Sequence, residues 1–199
     1  MMAEIQISVS IEPYLGVDIP LLTQYLNEIV KVAANNPQVS LHFDYFIDDP
    51  KRYALVRSYA NKIPTDLHLM AHPNLDTAGF RMVARDAKEL TADTTGLVLD
   101  LGCDFDQMTE VIKRYPQVIL MSVKCGKSGQ TFHPEVLDLV PKIRKINPQA
   151  VITIDGGVNE NNIALINKAG IDRVVVGSYA QKCYENGDLA KGLNRLLHV

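Results

Sequence analysis

AVITIDGGVNENNIALINKAGIDRVVVGS, residues 150–178, decides how the rest of the chain is read. It opens on a β-branched apolar run that ends in Asp155–Gly156–Gly157 and passes through Glu160–Ala169, whose apolar residues fall at helical spacing. It stops at Gly170 and resumes as a second β-branched run, Arg173–Ser178. Two short apolar runs joined by an amphipathic stretch make a βαβ unit, and runs apolar on both faces suit strands covered by helices. Gly170 suits the helix stop because glycine adopts the left-handed conformation without a Cβ penalty.

Outward from this unit the same alternation repeats. Strands are predicted at Glu4–Ile11, Val39–Ile47, Asp66–Ala71, Thr95–Leu101 and Gln117–Val123, besides Ala150–Gly156 and Arg173–Ser178. Helices are predicted at Pro20–Ala34, Asp49–Lys62, Phe105–Tyr115, Pro134–Ile146, Glu160–Ala169 and Asp188–Leu197. The stretch His72–Thr94 is poorly patterned, and an eighth strand is expected there at Phe80–Ala84, FRMVA, between Gly79 and the charged Arg85–Asp86. With that strand the repeat closes into an α/β fold, a (β/α)8 TIM barrel, as a single domain over residues 1–199 with abbreviated helices around strand four. The length is close to the roughly 200-residue lower limit of that architecture. The alternative is an open doubly wound sheet, but no Gly-rich dinucleotide fingerprint follows the first strand.

Composition bounds the function classes. Of 199 residues 47% are apolar and 22% charged, which is ordinary globular usage and not that of a disordered chain. No apolar run approaches the roughly 18 residues a membrane span needs. The start MMAEIQISVSIEP lacks the pattern of a secretory signal, so a cytoplasmic location and no membrane association are expected. A formal net charge of −3 without a long basic run argues against nucleic acid as partner. Cys103, Cys125 and Cys183 are odd in number and widely spaced, forming neither a disulfide framework nor a metal knuckle, so reduced thiols are expected. A homo-oligomer is the expected assembly.

In an eight-stranded barrel with all strands parallel, as expected here, the chemistry lies at the strand C-terminal ends. His42 and Asp44 in SLHFDYF are two apart and share one face of a strand. His68 in DLHLM and Asp155 in VITIDGG end two further strands. A lone strand-end His or Asp is more often structural than a ligand, but four on three strands can hold one divalent ion. Their mixed N and O donors suit Zn, Fe(II), Mn or Co better than Ca or Mg. A second set reads as an anion site: Gly126, Ser128 and Gly129 in MSVKCGKSGQ, then Gly156 and Gly157, then Gly177 and Ser178. Backbone N–H groups of glycine-rich turns and a helix N-terminus cradle phosphate, and late βα loops are where such barrels bind it.

LHFDYF, DLHLM, ILMSVKCGKSGQTF, ITIDGGVNENNI and VVVGS, in that order, resemble the motif series of the ribulose-phosphate 3-epimerase family over most of Ser8–Tyr179. The resemblance implies a (β/α)8 barrel that binds one divalent metal and a ketose phosphate as its small-molecule partner. It implies His42, Asp44, His68 and Asp155 as metal ligands and Asp44 with Asp155 as the catalytic acid/base pair. Gly129, Gly156, Gly157, Gly177 and Ser178 become phosphate contacts. Met70 and Met121 become apolar shields over the site, and a strand-one serine, Ser8 or else Ser10, touches substrate. Inverting a carbon beside a carbonyl requires proton removal on one face and return on the other, which is work for two carboxyl groups.

Departures from the family pattern bear on substrate. Phe46 stands where a third methionine is usual, followed by Ile47–Asp48–Asp49 in place of an Asp-Gly pair and a longer covering loop. Cys125 replaces a proline, Lys127 an aromatic residue and Ser128 a glycine. Lys127 either pairs with phosphate or lies in solvent. His68 follows His42 by 26 residues and Met121 follows His68 by 53, both short for the family. Two other readings stay open: a phosphosugar isomerase or lyase on the same barrel, and a non-catalytic binder of phosphorylated ligands. The absence of a Lys at the position of His68 argues against related decarboxylases and aldolases, and an intact ligand set argues against the binder.

Overall fold

The structure is a computed structural model that describes residues 5–14, 16–44, 50–60, 62–69, 80–85, 95–124 and 129–198. For 44, 50, 53, 66–69, 80–85 and 95 the backbone alone is described. Eight strands follow the chain: β1 (Gln6–Ser10), β2 (Val39–Asp44), β3 (Thr65–Leu69), β4 (Phe80–Arg85), β5 (Thr95–Leu99), β6 (Gln117–Met121), β7 (Val151–Asp155) and β8 (Arg173–Val176). They close into one barrel in sequence order. Around it stand α1 (Ile19–Asn35), α2 (Pro50–Tyr59), α3 (Phe105–Ile112), α4 (Val140–Ile146), α5 (Ile163–Lys168), α6 (Ser178–Glu185) and α7 (Leu189–Leu197). Among the described residues no helix is long and apolar enough to cross a membrane.

The expected barrel forms, and the strand expected at Phe80–Ala84 is present as β4. Its direction corrects the all-parallel expectation: six ladders are parallel, but β4 runs antiparallel to both β3 and β5. Connection length explains this. Ten residues, 70–79, separate β3 from β4, and nine, 86–94, separate β4 from β5, whereas a parallel crossover takes about a dozen or more. Chain that short turns back instead of crossing over. The abbreviated helices expected around strand four, like residues 45–47 at the end of the second predicted strand, fall outside the described residues.

Two further elements differ from expectation. The predicted strand Arg173–Ser178 ends at Val176, Gly177 caps the next element, and a helix not foreseen, α6, begins at Ser178. The single helix predicted at Pro134–Ile146 divides into a 3-10 turn, Pro134–Leu139, and α4. Pro141 has no N–H to donate one turn back, which breaks a continuous α-helix at that point.

Packing sorts the strand residues into two faces. Ile7, Val9, Leu41, Phe43, Leu97, Leu99, Ile152, Ile154, Val174 and Val176 belong to the large core between barrel and helices. Helix α1 joins this core with Leu22, Tyr25, Leu26, Ile29 and Val32, three or four apart, and Asp18 Oδ1 caps its start by accepting from Leu21 N at 2.8 Å. The alternate residues face the barrel interior. Val98, Ile119, Met121 and Val123 form a separate apolar cluster there, while Ser8, Ser10, Ser40, His42 and Thr153 are the buried polar residues on β1, β2 and β7. At the opposite end of the barrel from the strand C-termini, Arg173 is 2% exposed and donates to Gln6 Oε1 from Nε and Nη2 at 3.2 and 2.8 Å. Among the described residues, then, β1, β2 and β7 line the interior with polar side chains while β5 and β6 line it with apolar ones, so the described walls of the mouth are unlike.

Candidate functional site

β2 brings His42 and Asp44 to the strand's C-terminal end two residues apart, positions that share one face of a strand. Asp44 lies opposite His68 in the β2–β3 ladder, and Asp155, last residue of β7, lies opposite Met121. His42 is 1% exposed, and its Nε2 stands 3.9 Å from Asp155 Oδ2, a carboxylate 18% exposed. β1 and β8 lie between β2 and β7 in the barrel, so this approach is made across the mouth. The separation is too long for a hydrogen bond. Two donors each about 2.0–2.2 Å from one tetrahedral ion stand about 3.4 Å apart, so this pair is about half an ångström wider than shared ligation requires. Among the described residues no group of three or more His, Cys, Asp or Glu is gathered for a metal. The side chains of Asp44 and His68 lie outside the description, as does Met70.

The strand-one serines separate. Ser8 is opposite Ser40, fully buried, with the two hydroxyls 2.6 Å apart. Ser10 is opposite His42 and 4% exposed, and its Oγ accepts from Glu12 N at 3.1 Å. A Cβ added at Gly177 would meet Ser10 Cβ at 3.6 Å, so Ser10 adjoins both His42 and the end of β8. Met121, 5% exposed, continues the apolar wall of Val98, Ile119 and Val123 beside Asp155.

The expected anion residues gather at the ends of β6, β7 and β8, apart from Gly126 and Ser128, which lie outside the described residues with Cys125 and Lys127. Gly129, Gly156 and Gly157 all have positive φ, +77°, +115° and +63°. At Gly157 a Cβ would stand 2.8 Å from Phe132 N and 3.0 Å from Gln130 O, so the loops after β6 and β7 touch through backbone. Gly177 is different: its φ is −102° and a Cβ there would make only ordinary contacts. It is followed directly by α6, whose first N–H groups and dipole suit a negative charge.

Ser122 and α6 had no sequence signal beyond their places in MSVKCGKSGQ and after VVVGS. Ser122 is buried, with its Oγ 2.9 Å from Asp155 O and 2.6 Å from Gly156 O. Asn159 and Asn162 each donate from Nδ2 to Gly157 O at 2.9 Å.

A closed α/β barrel whose strand ends pair an imidazole with a carboxylate beside three glycine-bearing loops defines a barrel of the enzyme type, with a polar and an apolar wall to its mouth. The model of the ribulose-phosphate 3 epimerase family matches residues 19–180, and the chain belongs to that family. It is 44% identical over 157 residues to the ribulose-phosphate 3-epimerase of Aquifex aeolicus, covering 76% of this chain and 67% of that protein. With the Helicobacter pylori protein of the same name it shares 34% over 107 residues, 52% of this chain and 49% of that one. The chain thus spans about half to two thirds of the length of these relatives. Among solved structures, a chain of tryptophan synthase from Pyrococcus furiosus superposes with a TM-score of 0.63 at 14% identity, with 100% of each chain covered, a likeness of fold.

Proposed function

We propose that the protein is an isomerase, a metal-dependent 3-epimerase that interconverts ribulose 5-phosphate and xylulose 5-phosphate or a related pair of ketose phosphates. The observation that carries the reading is the 3.9 Å approach of His42 Nε2 to Asp155 Oδ2 across the mouth. It joins β2, which also carries Asp44, to β7, which runs into the Gly156–Gly157 loop. Asp44 and Asp155 take the two faces of the substrate carbon. One, as carboxylate, removes the C3 proton. The C–H electron pair becomes the C2–C3 double bond, and the carbonyl electrons move onto the C2 oxygen to give an enediolate. The other, as carboxylic acid, returns a proton to C3 on the opposite face while the carbonyl reforms.

His42, Asp44, His68 and Asp155 hold one divalent ion, Zn, Fe(II), Mn or Co, with donors of the right kind for it. When bound, such an ion supplies Lewis-acid stabilisation of the negative charge on the substrate oxygens. Gly129, Gly156, Gly157, Gly177 and Ser178 receive the phosphate on backbone N–H groups and the start of α6. Met121 and its apolar neighbours keep water from the enediolate face.

Replacing Asp44 or Asp155 by Asn tests this. Each variant is expected to lose epimerisation by about 10²- to 10⁴-fold, the usual size of a general acid or base contribution. Wild-type protein in heavy water is expected to wash deuterium into C3, and metal analysis to find one ion per chain that His42→Ala and His68→Ala release. Near-normal epimerisation by either Asn variant refutes the two-carboxylate roles. A chain with no affinity for these metals refutes the ligand set.

A further inference from the structure

The geometry points to Ser122 as a positioning residue that sets, through one hydroxyl, both the carboxylate of Asp155 and the backbone cradle for phosphate. The inference rests on the epimerase reading of the mouth and adds to it a residue that touches neither substrate nor metal. Ser122 follows β6 directly and is fully buried. Its Oγ–H is shared between Asp155 O at 2.9 Å and Gly156 O at 2.6 Å, and its own N–H donates to Asp155 O at 2.8 Å. Its carbonyl accepts from His133 N at 3.0 Å, which fastens the far end of the loop after β6 to the same point.

Peptide planarity turns these bonds into a directional device. In a trans peptide the N–H points opposite the carbonyl that precedes it. With the carbonyls of Asp155 and Gly156 held on Ser122, the N–H groups of Gly156 and Gly157 are turned to the other side, away from β6. β8, Gly177 and the start of α6 flank β7 on that side. The next carbonyl, Gly157 O, is held by the amides of Asn159 and Asn162, so three successive carbonyls are engaged. The fit is close: a Cβ on Gly156 would lie 2.4 Å from Val123 Cγ2, the residue after Ser122. The peptide plane after Asp155 also fixes the direction in which its side chain leaves the strand, toward His42. A strand end that merely needed its carbonyls satisfied would not require one hydroxyl to span two consecutive peptides at the base of the acid/base residue.

Threonine and valine at position 122 have the same shape and differ by the hydroxyl, so Ser122→Thr against Ser122→Val isolates the bond. With inorganic phosphate as probe, Ser122→Val is expected to bind about tenfold more weakly than Ser122→Thr, the size of one lost hydrogen bond in a buried site. It is also expected to turn over ketose phosphate about tenfold more slowly at saturation. The backbone amide resonances of Gly156 and Gly157 should shift in Ser122→Val and stay near wild type in Ser122→Thr. Should the β-branched pair overpack, Ser122→Ala against wild type carries the same expected losses. Equal phosphate affinity and equal kcat within either comparison overturns the inference. A wild-type protein inactive on every ketose phosphate overturns the epimerase reading, while the phosphate and amide comparisons still decide Ser122.

Discussion

Gly157 and Gly170 make a controlled pair for measuring how tightly the loops after β6 and β7 are locked. Both have left-handed φ, +63° and +84°. A Cβ on Gly170 would meet nothing within 4 Å, whereas on Gly157 it would meet Phe132 N at 2.8 Å and Gln130 O at 3.0 Å. Replacing either by Ala introduces left-handed strain of about 1–2 kcal/mol, offset by about 0.4–1 kcal/mol from the stiffer unfolded chain. Gly170→Ala should therefore lose about 1 kcal/mol. Gly157→Ala carries the same strain and must also push backbone of the β6 loop aside, an overpacking worth about 1–3 kcal/mol more. At about 2–4 °C per kcal/mol for a chain of this size, its Tm should fall below that of Gly170→Ala by roughly 2–12 °C. Calorimetry of the two variants reads the difference. Inorganic phosphate affinity should drop in Gly157→Ala alone, since Gly170 ends α5 away from the mouth. Equal Tm values for the two variants refute the close approach of the two loops.

The direction of β4 is open to cross-linking: the antiparallel register places Leu67 opposite Ala84 and Leu69 opposite Met82, within disulfide reach. Cysteine pairs at both couples should each oxidise to a disulfide, and success at one couple with failure at the other means that β4 is not antiparallel in this register. Alkali should destabilise the protein in a defined window, because burial, and after it the charge of Glu185, pushes the Tyr14 hydroxyl up to about 12 from 10. The unfolded chain then releases that proton first, so stability is full below pH 10 and declines as pH rises from 10 through 12. Urea midpoints measured from pH 9 to 12 check this, and a flat profile refutes it.

The barrel was legible in the sequence because its signal is local. Strands apolar on both faces, as in ILM and VVV, and stretches with apolar spacing of three and four, as in α1, record burial that each segment experiences wherever its neighbours stand. The period of two likewise put His42 and Asp44 on one face, and Gly156 and Gly157 were legible as a glycine-rich turn after β7, which the structure builds with positive φ at both. Ladder direction is a different quantity. FRMVA looks the same whether it runs parallel or antiparallel, and the ten- and nine-residue connections on either side of it decide. The end of β8 at Val176 and the start of α6 at Ser178 were hidden because Gly177–Ser178 in VVVGSYA reads equally well as the tail of the strand, and Gly177 becomes a helix cap only in this setting.

The site divides along the same line. Which side chains could ligate or exchange protons followed from residue type, whereas which of them meet did not, since His42 and Asp155 are 113 residues apart and come within 3.9 Å only when β1 and β8 seat between their strands. Ser122 looks like any small polar residue after a strand, and its hold on Asp155 and Gly156 exists because ladder closure brings residues 33 and 34 positions away against its hydroxyl. A sequence determines the periodicity of burial and the donors available, because both are properties of short segments. The partners of those donors belong to the tertiary structure, because hydrogen-bond geometry is set within tenths of an ångström by strands distant in the chain.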